Sequence, residues 1–161
     1  MSGIFGPLPL TLVVMPDTAS PSKRFRELRE RAGLSHDEAA RRMGVSSPCI
    51  WDIESFEDEL SCCFSPFEVR QFCAVLCARP GELFNVFTTE SSVSAKALVE
   101  RIHVECRKRG VTLDQFEDAV GWYLGPCMEP PERLLSDITL DGLKWLCREL
   151  GIDWHRVILG L

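Results

Sequence analysis

The chain has 161 residues, a length that accommodates one ordinary domain or two small ones. Hydrophobic residues make up 45% of the sequence and charged residues 26%, a balance that is typical of a soluble globular protein. The net charge of -6 at pH 7 differs from the basic balance of most nucleic-acid-binding domains, although a local basic patch can still neutralise phosphates.

Residues 1–21 contain an apolar segment that ends at Met15 and includes Pro7 and Pro9. The segment has no basic residues before it and is too short to span a bilayer, so we expect neither a secretory signal nor a membrane anchor. Its β-branched residues and flanking prolines predict an extended N-terminal arm followed by a linker. The arm lies over its own domain, pairs with a second protomer, or is disordered, and the three possibilities stay open.

The eight cysteines form no CxxC spacing, which argues against a zinc ribbon or a redox pair. Without a secretory signal, we expect reduced thiols and a cytoplasmic location. Buried, inert thiols are the simpler interpretation of Cys73 and Cys77, with a thiolate zinc site as the alternative. The chain has no HExxH, P-loop or GxSxG motif, so we expect no enzymatic activity, no metal and no cofactor.

The first two helices are predicted from apolar spacing and capping chemistry. Phe25 and Leu28 fall one helical turn apart, and Gly33 ends that helix. Ser35 is followed three residues later by Glu38, the spacing of a capping box that begins a second helix.

The second helix is predicted over His36–Met43, and Gly44 ends it in a tight turn. A third helix begins at Ser46 or Ser47, with Pro48 tolerated in its first turn because the first N–H groups of a helix lack helical partners. Two short helices joined by a turn that contains glycine constitute a helix-turn-helix.

From residue 24 to residue 84 the chain resembles the Cro/repressor-type (Xre-type) helix-turn-helix proteins. The residues that carry this resemblance are Leu28, Arg29, Gly33, Leu34, Ser35, Glu38, Ala39, Ala40, Gly44, Val45, Ser46, Ile50, Ile53 and Glu54. The resemblance implies an ion pair between Arg29 and Glu54 that would hold the third helix against the first. It also implies base-edge contacts by Ser46, Ser47, Pro48 and Asp52. DNA-backbone contacts are expected from His36, Arg41, Arg42, Lys23 and Arg24.

The charges around the third helix do not favour DNA. No Lys or Arg occurs between Arg42 and Arg70, whereas six acidic residues do. Phosphates near that surface would be repelled. The basic residues that begin at Lys23 offer a backbone-contact surface, or else a solvated helix face offset by Glu27 and Glu30.

In the remainder of the first domain, residues 22–87, the prediction is an acidic loop over 57–59 and a loop that contains Cys62 and Cys63, followed by two helices. Ser65, Pro66 and Glu68 begin a fourth helix that runs to about Cys77. A fifth helix follows over residues 82–87, and residues 88–94 form a linker.

The second half, residues 95–161, repeats the pattern of the first. Gly110, Val111 and Thr112 correspond to Gly33, Leu34 and Ser35, Val120 and Gly121 correspond to Met43 and Gly44, and Thr139 to Leu150 follow the pattern of Ser65 to Leu76. Pro130 and Pro131 fall in the expected third helix and should break it. The predicted fold is therefore all-α, with two tandem five-helix helix-turn-helix units and an N-terminal extended arm. Two unrelated small helical domains with similar caps are the alternative.

Two functions are compatible with this pattern. The resemblance favours a DNA-binding transcriptional regulator that binds double-stranded DNA as a homodimer, because one short helix makes few base contacts. The charge distribution favours an acidic protein-binding adaptor or antitoxin-like module, with Trp51 and Cys49 turned toward a protein partner. Trp51 would then point outward, unless it folds back against Phe56 or the N-terminal arm.

Overall fold

The computed structural model describes residues 19–86 and 91–160, and in these ranges it is all-α with no strand, as predicted. The α-helices are α1 (Pro21–Arg31), α2 (His36–Met43), α3 (Ser47–Ser55), α4 (Glu59–Cys63), α5 (Pro66–Val75), α6 (Pro80–Phe84), α7 (Ala95–Arg109), α8 (Leu113–Val120), α9 (Leu134–Asp137), α10 (Leu140–Leu150) and α11 (Trp154–Ile158). Two short 3-10 turns, Gly125–Cys127 and Pro131–Arg133, lie between α8 and α9. Within the described ranges, no helix is long and apolar enough to cross a bilayer.

Helix α1 begins at Pro21, the last residue of the region predicted as arm and linker. Ser20 is its N-cap and Pro21 its first residue, so the predicted linker ends before residue 21. Residues 1–18, which contain the predicted apolar arm, lie outside the described residues.

Two glycines with left-handed backbone make the corners of the first three helices. Gly33 has φ +69° and Gly44 has φ +74°, values that a side chain with a Cβ adopts only with strain. Ser35 caps α2 by accepting a hydrogen bond from the backbone N–H of Glu38 at 3.2 Å. At the other end of α2, the Gly44 N–H donates to the carbonyl of Ala40. The helices on either side of each corner are short, and they are stabilised mainly by the apolar side chains that they bury against one another.

The loop predicted around Cys62 and Cys63 is wrong, because Glu59–Cys63 form the short helix α4, which also includes the last residue of the predicted acidic loop. Its Leu60 is 1% exposed and packs into the core. No sequence signal marked this helix: it spans five residues and its N-cap Asp58 makes no side-chain capping bond. The first part of the chain, from α1 to α6, therefore holds six helices rather than five.

The next two helices have shifted boundaries. Helix α5 ends at Val75 rather than at Cys77, which has φ +52° and lies in the turn that follows. Helix α6 begins at Pro80 rather than at Glu82, because proline is well suited to the first turn of a helix. It ends at Phe84, and residue 87 lies outside the described residues.

The corner between α7 and α8 has the same chemistry as the corner between α1 and α2. Gly110 has φ +66°, and Thr112 and Gln115 form a reciprocal capping box with bonds of 3.3 and 3.0 Å. Gly121, with φ +77°, ends α8. No α-helix follows until Leu134, and only the two 3-10 turns occupy this described segment, which contains Pro130 and Pro131.

A buried carboxylate organises the segment after α8. Glu117 is 6% exposed, and its Oε1 accepts hydrogen bonds from the backbone N–H groups of Leu124 at 2.7 Å and of Gly125 at 2.6 Å. These bonds satisfy backbone donors in a segment that has no regular helix, where an unpaired buried donor costs about 1–3 kcal/mol.

The two halves pack directly against each other through α10. The Leu140 N–H donates to the carbonyl of Phe64 at 2.8 Å, and Lys144 Nζ donates to Ser61 Oγ at 2.8 Å. Helix α10 therefore contacts α4 and Phe64, the residue at which α4 ends.

Candidate nucleic-acid interface

Helix α3 has one buried and one exposed face. Ile50 and Ile53 are fully buried against α1 and α2, which turns Pro48 and Trp51 toward solvent. Trp51 is 54% exposed. The residues predicted to face base edges are Ser46 and Pro48, which are exposed, and Ser47 and Asp52, which are half-buried. They lie at the start and middle of α3, directly after the Gly44 turn.

The carboxylate of Glu54 joins α3 to both preceding helices. Its side chain is 1% exposed and accepts hydrogen bonds from Arg29 Nε at 2.5 Å, Arg26 Nε at 3.1 Å and His36 Nε2 at 3.2 Å. Arg29 Nη1 also donates to the carbonyl of Leu34 at 2.8 Å. The structure thus brings together Arg29 and Glu54, and it adds Arg26 and His36 to the cluster. Because a carboxylate only accepts, His36 carries a proton on Nε2.

Two opposing effects act on the Glu54 carboxyl. Burial raises the pKa of Glu54, but the hydrogen bonds from Arg29 and His36 lower it, and the net pKa lies below its ordinary value. The bond to Glu54 in turn raises the pKa of Arg29. Both groups are therefore charged at neutral pH, and α3 is fixed by a charged cluster that is costly to break.

The Glu38 carboxylate binds two arginines instead of completing a capping box. It lies 2.7 Å from Arg41 Nη2 and 2.6 Å from Arg42 Nε, and hydrogen bonds from both arginines lower the pKa of Glu38 to about 2. The predicted capping box is thus half wrong, since Ser35 caps the backbone of Glu38 but the carboxylate does not return to Ser35. Both guanidinium groups remain on the surface, with side chains 73% and 52% exposed.

The start of α2 contacts the exposed face of α3. The His36 ring stacks on the Trp51 indole, with centroids 4.2 Å apart and 7° between the planes. Trp51 therefore rests on His36 rather than on Phe56, and contacts with the arm fall outside the described residues. The Ser47 hydroxyl donates a hydrogen bond to the Asp37 carboxylate. This bond directs Ser47 back toward α2, an orientation that no sequence pattern indicated.

Helix α1 carries the remaining predicted backbone contacts at its start. Lys23 is exposed and Arg24 is half-buried. Farther along α1, Arg31 Nη2 lies 3.1 Å from Glu82 of α6. Together with the bonds from Arg26 and Arg29 to Glu54, this means that the later arginines of α1 hold the domain together.

Cys73 is buried as predicted, but Cys77, which was predicted to be buried with it, is exposed. All eight cysteines lie in the described ranges and are free. Burial raises the pKa of Cys73 and of Cys147 to about 12, and a hydrogen bond to Glu59 is the main reason that the pKa of Cys63 rises to about 11. Thiols with such pKa values are poor nucleophiles at neutral pH. Among the described residues, no group of three or more His, Cys, Asp or Glu side chains is placed to hold a metal ion.

A family model described as a helix-turn-helix domain matches residues 22–86. The matched residues run from the first turn of α1 to the end of the first described range, so this part of the chain is similar to helix-turn-helix domains. Comparison with curated proteins and with solved structures found no match to the chain.

Proposed function

We propose that this chain is a DNA-binding transcriptional regulator of the Cro/repressor (Xre) type, which binds double-stranded DNA as a homodimer in the cytoplasm. The observation that carries the proposal is the helix-turn-helix domain at residues 22–86, in which the Gly44 turn joins α2 to an α3 with an exposed face. A dimer is proposed because the short α3 offers few side chains to base edges, and two half-sites multiply the specificity of one.

In this proposal the cationic side chains of α1 and α2 bind phosphates. Arg41 and Arg42 are exposed beside the Gly44 turn, and Lys23, Arg24 and His36 supply further backbone contacts. Each phosphate that a cation neutralises releases condensed counterions, which is the main source of affinity and makes binding salt-dependent. The ion pairs with Glu38 are exposed and screened by solvent, so they can be exchanged for phosphate.

The start of α3 would then contact base edges through Ser46, Ser47, Pro48 and Asp52. Asp52 can only accept, for instance from the amino group of a cytosine. Ser47 must give up its bond to Asp37 to reach a base. The Arg29–Glu54 pair takes no part in readout, and it positions α3 by fixing it to α1.

We propose that residues 95–161 are a diverged copy of the helix-turn-helix unit and do not bind a groove. The matching glycines and caps at Gly110, Thr112 and Gly121 support a common origin. When the two units are aligned on these glycines, Asp118 and Ala119 occupy the positions of Arg41 and Arg42. The copy therefore lacks the phosphate-binding cations, and no α-helix follows its turn within the described segment up to Arg133.

The proposal is tested by measuring binding to random-sequence duplex DNA as the salt concentration rises. A regulator should lose affinity linearly with the logarithm of salt, and R41A/R42A should bind about tenfold or more weakly, with a salt slope smaller by about 2. The matched control is R133A/R148A, which removes the same charge from the second half. No detectable binding by the unaltered protein at low salt would overturn the proposal.

One observation favours a second function, an acidic protein-binding adaptor or antitoxin-like module that uses Trp51 and Cys49. Trp51 is 54% exposed, and the acidic residues Glu57 and Asp58 follow α3 on the exposed surface. In that case Trp51→Ala should abolish co-purification of a protein partner while the circular dichroism spectrum stays unchanged. A partner that still co-purifies with this variant would contradict the assignment of the surface.

A further inference from the structure

A basic surface runs along α7, outside the helix-turn-helix domain. Helix α7 carries five basic and two acidic residues, whereas the other 13 of the 18 basic residues are accompanied by 22 of the 24 acidic residues. A helix with this balance is unusual in a chain whose net charge is -6.

The basic residues lie on the side of α7 that faces solvent. Leu98 and Ile102 are fully buried and Cys106 is 8% exposed, which fixes the inner side of the helix. The outer side carries four exposed cations, which we call the α7 basic face: Lys96, Arg101, Arg107 and Lys108. Glu100 is the acidic residue among them, and Val104, which is 43% exposed, is the large apolar one.

Three of these four cations are not paired with a carboxylate in the described chain. Lys96, Arg101 and Arg107 form no salt bridge with any residue of the described ranges, and Lys108 Nζ lies 3.7 Å from Glu105. The fifth cation of α7 differs, because Arg109 Nε bonds Glu105 at 2.9 Å. In α1, by contrast, three arginines bond carboxylates of other helices.

We propose that the α7 basic face binds the phosphate backbone of duplex DNA, as a second contact surface beside the helix-turn-helix domain. The proposal rests on the proposed function in one respect, since it assumes that DNA is the polyanion the chain meets. From residue 96 to residue 108 the helix rises by about 18 Å, a length over which duplex DNA carries roughly ten phosphates. Each of the four cations therefore has several phosphates within the length of the helix to bind.

The chemistry of the face fits a nucleic-acid backbone better than a protein. Protein interfaces depend on buried aromatic or large apolar anchors, and Val104 is the one large apolar side chain exposed among these cations. Lysine and arginine side chains on a helix surface contact phosphates without distinguishing bases. The α7 basic face should therefore add affinity and salt dependence but no sequence preference.

The test compares three proteins on the same random-sequence duplex of about 25 base pairs, by fluorescence anisotropy between about 50 and 200 mM salt. The variant K96Q/R101Q/R107Q removes three charges of the face. The matched control R70Q/R133Q/R148Q removes three exposed charges from α5, the turn before α9, and α10. Circular dichroism checks that each variant is folded.

We expect the α7 variant to bind about tenfold or more weakly at 100 mM salt, with a salt slope smaller by about 2 to 3, and the control to bind like the unaltered protein. Equal slopes for the α7 variant and the unaltered protein, or equal losses in variant and control, would overturn the inference while leaving the proposed function intact. No binding by the unaltered protein would instead contradict the proposed function. Preference for single-stranded RNA or for an acidic protein over the duplex would also overturn the inference.

A second measurement does not depend on variants. The chain has four lysines, and chemical methylation of their ammonium groups can be followed one by one. Bound duplex DNA should protect Lys96 and Lys108, whereas Lys144, which bonds Ser61 and Asp141, should react equally with and without DNA. Equal reactivity of Lys96 and Lys108 in free and bound protein would contradict a DNA contact at α7.

Discussion

Arg29 and Glu54 meet in the buried space between α1 and α3, where Nε of the arginine lies 2.5 Å from Oε1 of the glutamate. Their side chains are 7% and 1% exposed. They are 25 residues apart in sequence, so this pair closes a long loop and sets the position of α3 relative to α1. Any surface that α3 presents to DNA or to a protein depends on this contact.

Glu54→Ala should destabilise the domain strongly. The substitution leaves the buried guanidinium of Arg29 with only the exposed Glu30 carboxylate, 3.8 Å away, as a countercharge. Breaking a buried pair in this way costs about 3–5 kcal/mol. Replacing both partners with apolar residues, as in R29M/E54L, should cost much less, because no buried charge remains. The free energy of unfolding is measured in urea. Additive losses in the double variant would show that the pair is not coupled.

The same carboxyl should make stability depend on pH. The pKa of Glu54 is lowered in the folded state, because the hydrogen bonds from Arg29 and His36 outweigh the effect of burial. The unfolded chain then binds more protons than the folded one as the pH falls through about 4.3, the ordinary glutamate value. The stabilisation is therefore present above that pH and lost as the pH falls toward the lowered pKa.

Unfolding of the unaltered protein and of Glu54→Gln is compared from pH 7 to pH 3. The difference between their free energies of unfolding should shrink as the pH falls. Glu27→Gln serves as control, since Glu27 is exposed and no hydrogen bond or ion pair joins it to the residues that the structure describes. A constant difference across this range would contradict the role given to the Glu54 carboxylate.

Gly142→Ala should destabilise the second half, although alanine normally stabilises a helix by about 0.5–1 kcal/mol relative to glycine. A Cβ at Gly142 would lie 2.5 Å from Cε2 and 2.8 Å from Cζ2 of the Trp122 indole. The ring must move, and overpacking of this kind costs about 1–3 kcal/mol. Urea unfolding gives the cost, and tryptophan fluorescence follows the ring. In a Trp122→Leu background the alanine should cost little, so an equal cost there would exclude the clash as the cause.

The sequence predicted the first corner because capping chemistry is local. The caps at Ser35 and Gly44 and the buried Ile50 and Ile53 follow from residue type and spacing. Helix α4 was missed because it is too short to show a periodic pattern and has no side-chain cap.

The contacts of the site were harder to predict than the helices that carry it. The stacking of His36 on Trp51 and the bond from Ser47 to Asp37 depend on rotamers of surface side chains. The two ion pairs of Glu38 could have been predicted, because Arg41 and Arg42 follow it at i+3 and i+4 on the same helix. The same glutamate, however, also has the spacing of a capping box. Small energy differences, which residue spacing does not reveal, decide whether Glu38 bonds the two arginines or the backbone N–H of Ser35.

Glu38→Gln should increase DNA affinity if Arg41 and Arg42 bind phosphates. The Glu38 carboxylate now pairs with both guanidinium groups and offsets one of their two positive charges, and it would repel a phosphate that approaches them. Glutamine keeps the backbone N–H that Ser35 caps and is itself favourable at this helix position, so α2 should remain folded. We expect binding to random-sequence duplex to tighten by about three- to tenfold at low salt, because one negative charge is removed beside two guanidinium groups. Glu132→Gln removes an equal charge outside the domain and should have little effect. Equal gains in both variants would mean that net charge alone governs binding, and no gain in either would place the DNA away from α2.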